Sequence, residues 1–217
     1  MSTPFIKNNQ YNVIKKQSKH LLHTLRTVAD RRVLETVRHD CTMKIVEAFS
    51  SLTPEQQQRL ESISLLETAD DFSSYLSELE AYLEPYPTIT PKQIEKLFPK
   101  SKKLKVPDLQ SIDFRFITYL GWMDISTNRL FVVYPFEGQF VGLEGRLTPT
   151  HKKGYCLFCN RHHELAFFLV KTKPAVASPD NVAAVGQYIC MDNQTCNQSI
   201  TNTEALEKFI RSVRNER

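Results

Sequence analysis

The sequence predicts an α+β protein, with a helical N-terminal part and a mixed α/β C-terminal part, and three observations carry that prediction. All six glycines lie beyond residue 120, so the first part lacks the residue that tight hairpin turns most often require. Apolar residues before residue 90 recur at spacings of three and four, the helical period. Four of the five cysteines fall within residues 156–196, where strand-like stretches replace that period.

Taken in order, Ile14, Leu21, Leu22, Leu25 and Val28 share one helical face, and Leu34, Val37, Cys41, Ile45, Ala48 and Phe49 share another. Cys41 on this face reads as a small buried hydrophobe. Thr53-Pro54-Glu55 supplies an N-cap, a proline at the first helical position and an early acid, starting a third helix that runs to about Ser64. Asp70 or Asp71 is expected to cap a fourth, carrying Phe72, Tyr75, Leu76, Leu79 and Leu83. Four helices joined by short loops predict an up-down four-helix bundle. Pro85 and Pro87 end it, because neither can continue a helix. The expected division is therefore 1–87 for the bundle and 88–217 for the α/β domain.

A short helix is expected from Thr90-Pro91 to about Phe98. The lysine-rich stretch Lys100–Lys105 follows, either a solvated loop or a contact for phosphates or an acidic protein. Strand character is expected from Phe114, with a turn at Gly121-Trp122. A hairpin around Glu137-Gly138 is predicted to join Leu130–Tyr134 to Gln139–Leu147, with further strands at Glu164–Val170 and Gln187–Ile189. The last helix, Thr203 to about Val213, places Leu206, Phe209, Ile210 and Val213 on one face.

Composition limits what this chain can do. At 217 residues, 41% hydrophobic and +4 in net charge, it is too apolar and too weakly charged for a disordered protein. No apolar run reaches 18 residues, so no transmembrane helix or membrane partner is expected. The N-terminal residues lack a secretory signal's apolar stretch, and a soluble cytoplasmic protein with reduced thiols is the expectation. Residues 1–90 carry ten Lys/Arg and twelve Asp/Glu, and residues 91–217 carry eighteen and twelve. The total is too mild to argue for direct nucleic-acid binding. The uneven split points the second half toward an acidic surface.

Cys156-Leu157-Phe158-Cys159 is a C-x-x-C knuckle, followed after thirty residues by Cys190 and Cys196. Two thiolates at that spacing reach one tetrahedral ion, and four complete its coordination. A redox pair would not require the second two cysteines, and the flanking Gly154-Tyr155 and Asn160-Arg161-His162-His163 are turn-like. His162 and His163 read as basic neighbours rather than ligands. Knuckle, hairpin and helix in that order predict a treble-clef zinc finger over about 150–217, holding one structural Zn²⁺ with no open position for water or substrate. With no phosphate loop, nucleophile elbow or H-E-x-x-H in the chain, a binding protein rather than an enzyme is expected. Tyr155, Phe158, Tyr188 and Phe209 surround the ligands as candidate aromatic anchors, rimmed by Lys152, Lys153, Lys171, Lys173 and Lys208.

Several of these stretches together resemble the fusidic acid resistance proteins that bind elongation factor G. They are Lys102-Lys103-Leu104-Lys105 with Pro107-Asp108, Tyr119-Leu120-Gly121-Trp122 with Asp124, Gly154-Tyr155-Cys156 through Cys159-Asn160, Lys171-Thr172-Lys173, and Tyr188-Ile189-Cys190 ending in Cys196-Asn197-Gln198. The resemblance covers about residues 95–210. It implies a helical bundle followed by a zinc-finger domain that grips elongation factor G, with target contacts at Tyr155, Tyr188 and Phe209. It implies further that such a protein frees the factor from drug-stalled ribosomes without modifying the drug. The ribosome is expected to be met only indirectly, and a monomer forming a one-to-one complex is the simplest expectation. The competing expectation is a ribosome- or RNA-binding zinc module without specificity for the factor.

Overall fold

A computed structural model describes residues 3–101, 104–172 and 183–214. The chain forms two compact units, Met1–Glu84 and Pro85–Arg217.

The first unit holds four α-helices, α1 (Asn8–Thr27), α2 (Arg31–Val46), α3 (Pro54–Glu61) and α4 (Ala69–Leu79). Each start is set by a local cap. Asp30 accepts from the amides of Arg32 and Val33 at the head of α2, and Thr53 and Gln56 cap α3 reciprocally. At α4 the cap is Thr68, not Asp70 or Asp71. Asp71 sits three residues inside the helix and reaches back to the Thr68 amide at 2.9 Å, which holds its carboxyl below the ordinary aspartate range. Helix α1 packs against α2 and α4, and α2 against α3. Ile14, Leu21, Cys41, Ile45, Leu60, Ile63, Phe72 and Leu79 fill the interior. Burial pushes the Cys41 thiol up, as befits a packing residue. A parallel bridge between Ile6 and Leu83 ties the start of the unit to its end.

The second unit begins at Pro85 because Tyr86 belongs to its core, where the phenol donates to the carbonyl of Val133 at 2.9 Å. A five-stranded antiparallel sheet runs in simple order: β1 (Leu120–Asp124), β2 (Arg129–Phe136), β3 (Gln139–Tyr155), β4 (His162–Thr172) and β5 (Ala183–Cys190). Two expectations fail here. Phe114–Phe116 forms a 3₁₀ turn, not a strand, because the Asp113 carboxylate captures the amide of Arg115 and closes the backbone. Gly121-Trp122 lies inside β1, not at a turn. Gly121 is required by close packing, since a Cβ there would stand 2.9 Å from both the Asn193 side chain and the Tyr119 ring. The β2–β3 hairpin does turn at Glu137 and Gly138, whose φ values of 50° and 77° match the type I′ geometry favoured between twisted strands.

Each face of the sheet has its own cover. On one, Leu130, Val132, Leu143, Phe168, Val170 and Ile189 pack with Leu206, Phe209 and Ile210 of the C-terminal helix α7 (Glu204–Arg214). On the other, Leu120, Phe131 and Val133 pack beneath Ile94 and Phe98, supplied by α5 (Pro91–Leu97) and its C-cap. Trp122 stacks on Phe131 at 5.2 Å and 15°. Lys102 and Lys103 of the lysine-rich stretch lie outside the described residues.

Candidate metal centre

The knuckle is delivered by a correction in β3. Between Pro149 and Lys152 the register with β4 shifts. His151 takes a φ of 54° and the Thr150 hydroxyl donates to the carbonyl of Leu165 at 2.6 Å across the bulge. From there Tyr155 pairs with His162, which leaves residues 156–161 as the tight connection into β4. Asn160, at a φ of 50°, donates its amide to the Cys156 carbonyl at 2.9 Å.

Cys190 ends β5, and Cys196 lies in a short helix, α6 (Asn193–Ser199). Asp192 caps this helix, accepting from the amides of Gln194 and Thr195. The five-residue gap between the last two cysteines is therefore a cap and a first helical turn, not a wide loop. All four sulfurs are buried and lie within 4.8 Å of one another. The pairs Cys156–Cys196 and Cys159–Cys190 stand at 3.8 and 3.5 Å. A tetrahedral zinc ion about 2.3 Å from each thiolate sets its sulfurs about 3.8 Å apart, so the cluster fits that ion.

The electrostatics agree. Hydrogen bonds from the neighbouring thiols, Cys159 first, pull the Cys156 thiol down, and the Cys190 amide adds an N–H···S contact at 3.2 Å. The same contact with Cys156 pushes Cys190 and Cys196 up. Four sulfurs this close cannot all ionise by themselves, and a dication removes the conflict. His163 meets the Ser199 hydroxyl and His162 the Tyr155 ring.

Second-layer residues hold the cluster. Buried Asn197, next to Cys196, accepts from the amides of Thr118 and Tyr119 at 2.7 and 3.2 Å and donates to the Tyr119 carbonyl at 3.0 Å. Its amide thus acts as a backbone segment joining α6 to the start of β1. Tyr119 packs edge-on to Phe158 at 5.6 Å, and burial first, then the sulfur of Cys196, pushes its phenol up. In the sequence Asn197 and Tyr119 stand only within the motifs of the family resemblance, with no structural role attached to either. A buried amide beside a ligand is visible only once the chain is folded.

The candidate anchors divide. Tyr155 and Tyr188 are 69% and 52% exposed. Phe158 and Phe209, at 1% and 3%, are core residues that touch each other and Tyr119 or Phe168. They are corrected from surface anchors to packing, because the apolar faces of the knuckle and of α7 both turn toward the sheet. Lys171 and Lys208 are exposed and Lys173 lies outside the described residues. Two residues went unnoticed in the sequence. Phe167 lies opposite Tyr188 with ring centroids 5.2 Å apart, and Leu169 is 37% exposed and pairs with Arg146. By alternation Phe167, Leu169 and Lys171 share one face of β4.

A helical unit followed by a sheet that carries a four-cysteine knuckle and helix defines a treble-clef zinc-finger protein. The profile described as elongation factor G-binding protein, N-terminal, matches residues 5–87, and that described as FBP C-terminal treble-clef zinc-finger matches residues 98–215. The chain belongs to this family of elongation factor G-binding proteins. A solved structure described as the fusidic acid resistance protein FusC is 31% identical, covers 96% of this chain and 97% of its own, and superposes with a TM-score of 0.82. A search of curated proteins found no match. Among the described residues no helix is long and apolar enough to cross a membrane.

Proposed function

We propose that this protein binds elongation factor G through its zinc-finger unit, one to one, and releases the factor from ribosomes stalled by fusidic acid, a form of target protection. The observation that supports this most is that both family profiles and the FusC likeness extend over nearly the whole chain. Cys156, Cys159, Cys190 and Cys196 would hold a single zinc ion, which supplies a cross-link between knuckle, strand and helix. With four thiolates the coordination is filled, so the reading is a binding protein without catalysis.

The contact surface in this reading is Tyr155, Tyr188, Phe167 and Leu169, with Lys171 at its rim; Lys208 lies on α7, which covers the opposite face of the sheet, and is left out of it. The Leu157 amide donates to the Tyr188 carbonyl at 2.9 Å, so the cluster stiffens the strand that presents the tyrosine. Exposed rings on a rigid support bind with little loss of rotamer freedom. Release then requires differential affinity: the chain must bind the departing form of the factor more tightly than the stalled one.

Calorimetric titration of the zinc-loaded chain into purified elongation factor G, without ribosomes, tests the reading. Stoichiometric heat is expected; a folded, metal-loaded chain that gives none would remove elongation factor G as the partner.

A further inference from the structure

We infer that the α1–α2 hairpin is an RNA-binding surface that takes the phosphate backbone, a function separate from that of the finger. The net charge of +4 conceals a strong segregation. Residues 1–46 carry nine Lys/Arg and three Asp/Glu, a net of +6, whereas residues 47–84 carry one and nine, a net of −8. Helix α1 contains four lysines and arginines and no acid over its 20 residues. Lys16, Lys19, His23 and Arg26, all exposed, follow one another at spacings of three, four and three. They line one helical face over about 15 Å at 1.5 Å of rise per residue.

A three-residue connection then brings Arg31 and Arg32 next to the end of that stripe, both exposed. They occupy the first turn of α2, which has no acid. Positive charge there opposes the helix dipole, so the two arginines lower local stability rather than raise it. An anionic partner reverses that sign. Asp30 is engaged with the amides of Arg32 and Val33. Glu35, four residues after Arg31, forms no ion pair among the described residues, and neither do Lys19, Arg26, Arg31 or Arg32.

The exposed side chains of α1 along this face are lysine, arginine, histidine and threonine, and at the start of α2 Glu35 and one large apolar residue, Val33 at 44% exposure, stand beside Arg31 and Arg32. That is a set of charges and donors without the apolar centre on which a protein interface is built. It matches what phosphate recognition requires. The choice of RNA over DNA rests on the reading above, because a factor held on a ribosome is surrounded by RNA.

Fluorescence anisotropy of the full zinc-loaded chain with a labelled RNA stem-loop, without elongation factor G, tests the inference separately from that reading. Binding should weaken steeply with salt. The triple variant Arg26→Glu, Arg31→Glu, Arg32→Glu should bind at least tenfold more weakly, with a log–log salt slope smaller by about two to three, and its titration with elongation factor G should be unchanged. The neutral triple variant Arg26→Gln, Arg31→Gln, Arg32→Gln relieves the clash of Arg31 and Arg32 with the α2 dipole and gives up the favourable Arg26 in the last turn of α1, so it should fold about as well and still lose RNA affinity. No RNA binding at low salt, or wild-type affinity in both variants, would overturn the inference. So would equal binding of a DNA stem-loop, which marks a generic polyanion site, or equal competition by poly-glutamate, which marks an acidic-protein surface.

Discussion

Tyr188 and Phe209 present similar rings from the same unit in opposite surroundings. Tyr188 stands on β5 half in solvent, beside Phe167, so truncating it removes contact area from a partner and little from the fold. Tyr188→Ala should weaken elongation factor G binding by about 2 kcal/mol, roughly thirtyfold, with the thermal midpoint unmoved. Phe209 touches Phe158 and Phe168 in the core. Phe209→Ala should therefore cost about 3–5 kcal/mol of stability, seen as a lower denaturant midpoint, and any loss of binding should follow the unfolded fraction. The period of α7 already placed Phe209 with Leu206 and Ile210 on one apolar stripe. That stripe was legible as core, and proximity to the ligands together with the family resemblance suggested a surface role. Phe167 and Leu169 were hidden for the opposite reason. Leu165–Val170 is an unbroken apolar run, and a strand apolar on both faces carries no inward or outward label.

At the level of elements, the cysteine spacing and the Glu137-Gly138 turn were readable because each is a local chemical requirement. The α6 helix was not, since it depends on Asp192 capping a segment too short and too polar to declare itself. Nor was the turn at Phe114–Phe116, where a carboxylate outweighed an alternation of apolar residues. The knuckle, the end of β5 and α6 meet at the four sulfurs, and magnitudes decide how much depends on the metal. Apparent binding energies of structural zinc sites, about 10–16 kcal/mol, equal or exceed the whole stability of an ordinary domain, about 5–15 kcal/mol. Chelation should therefore unfold the region around the knuckle, β5 and α6. Loss of near-ultraviolet signal from its buried aromatic residues on chelation, recovered by one equivalent of zinc, is the expected result. An unchanged spectrum after complete metal removal would assign the cluster to packing alone.

For the whole molecule, the two proposed surfaces make a joint prediction that neither makes by itself. A chain held at the ribosome by weak, salt-sensitive phosphate contacts presents its finger at a raised local concentration, and linked sites of this kind gain avidity without new contacts. The charge-reversed hairpin variant should then bind isolated elongation factor G normally, yet need a higher concentration to restore translation in a reconstituted system inhibited by fusidic acid. Tyr188→Ala should fail in both assays, by similar factors. Salt separates the two causes further: adding it should raise the concentration of the wild-type chain that is needed, and should change the requirement of the hairpin variant much less. Equal protection by wild-type and hairpin variants at every salt concentration would confine the protective function to the finger.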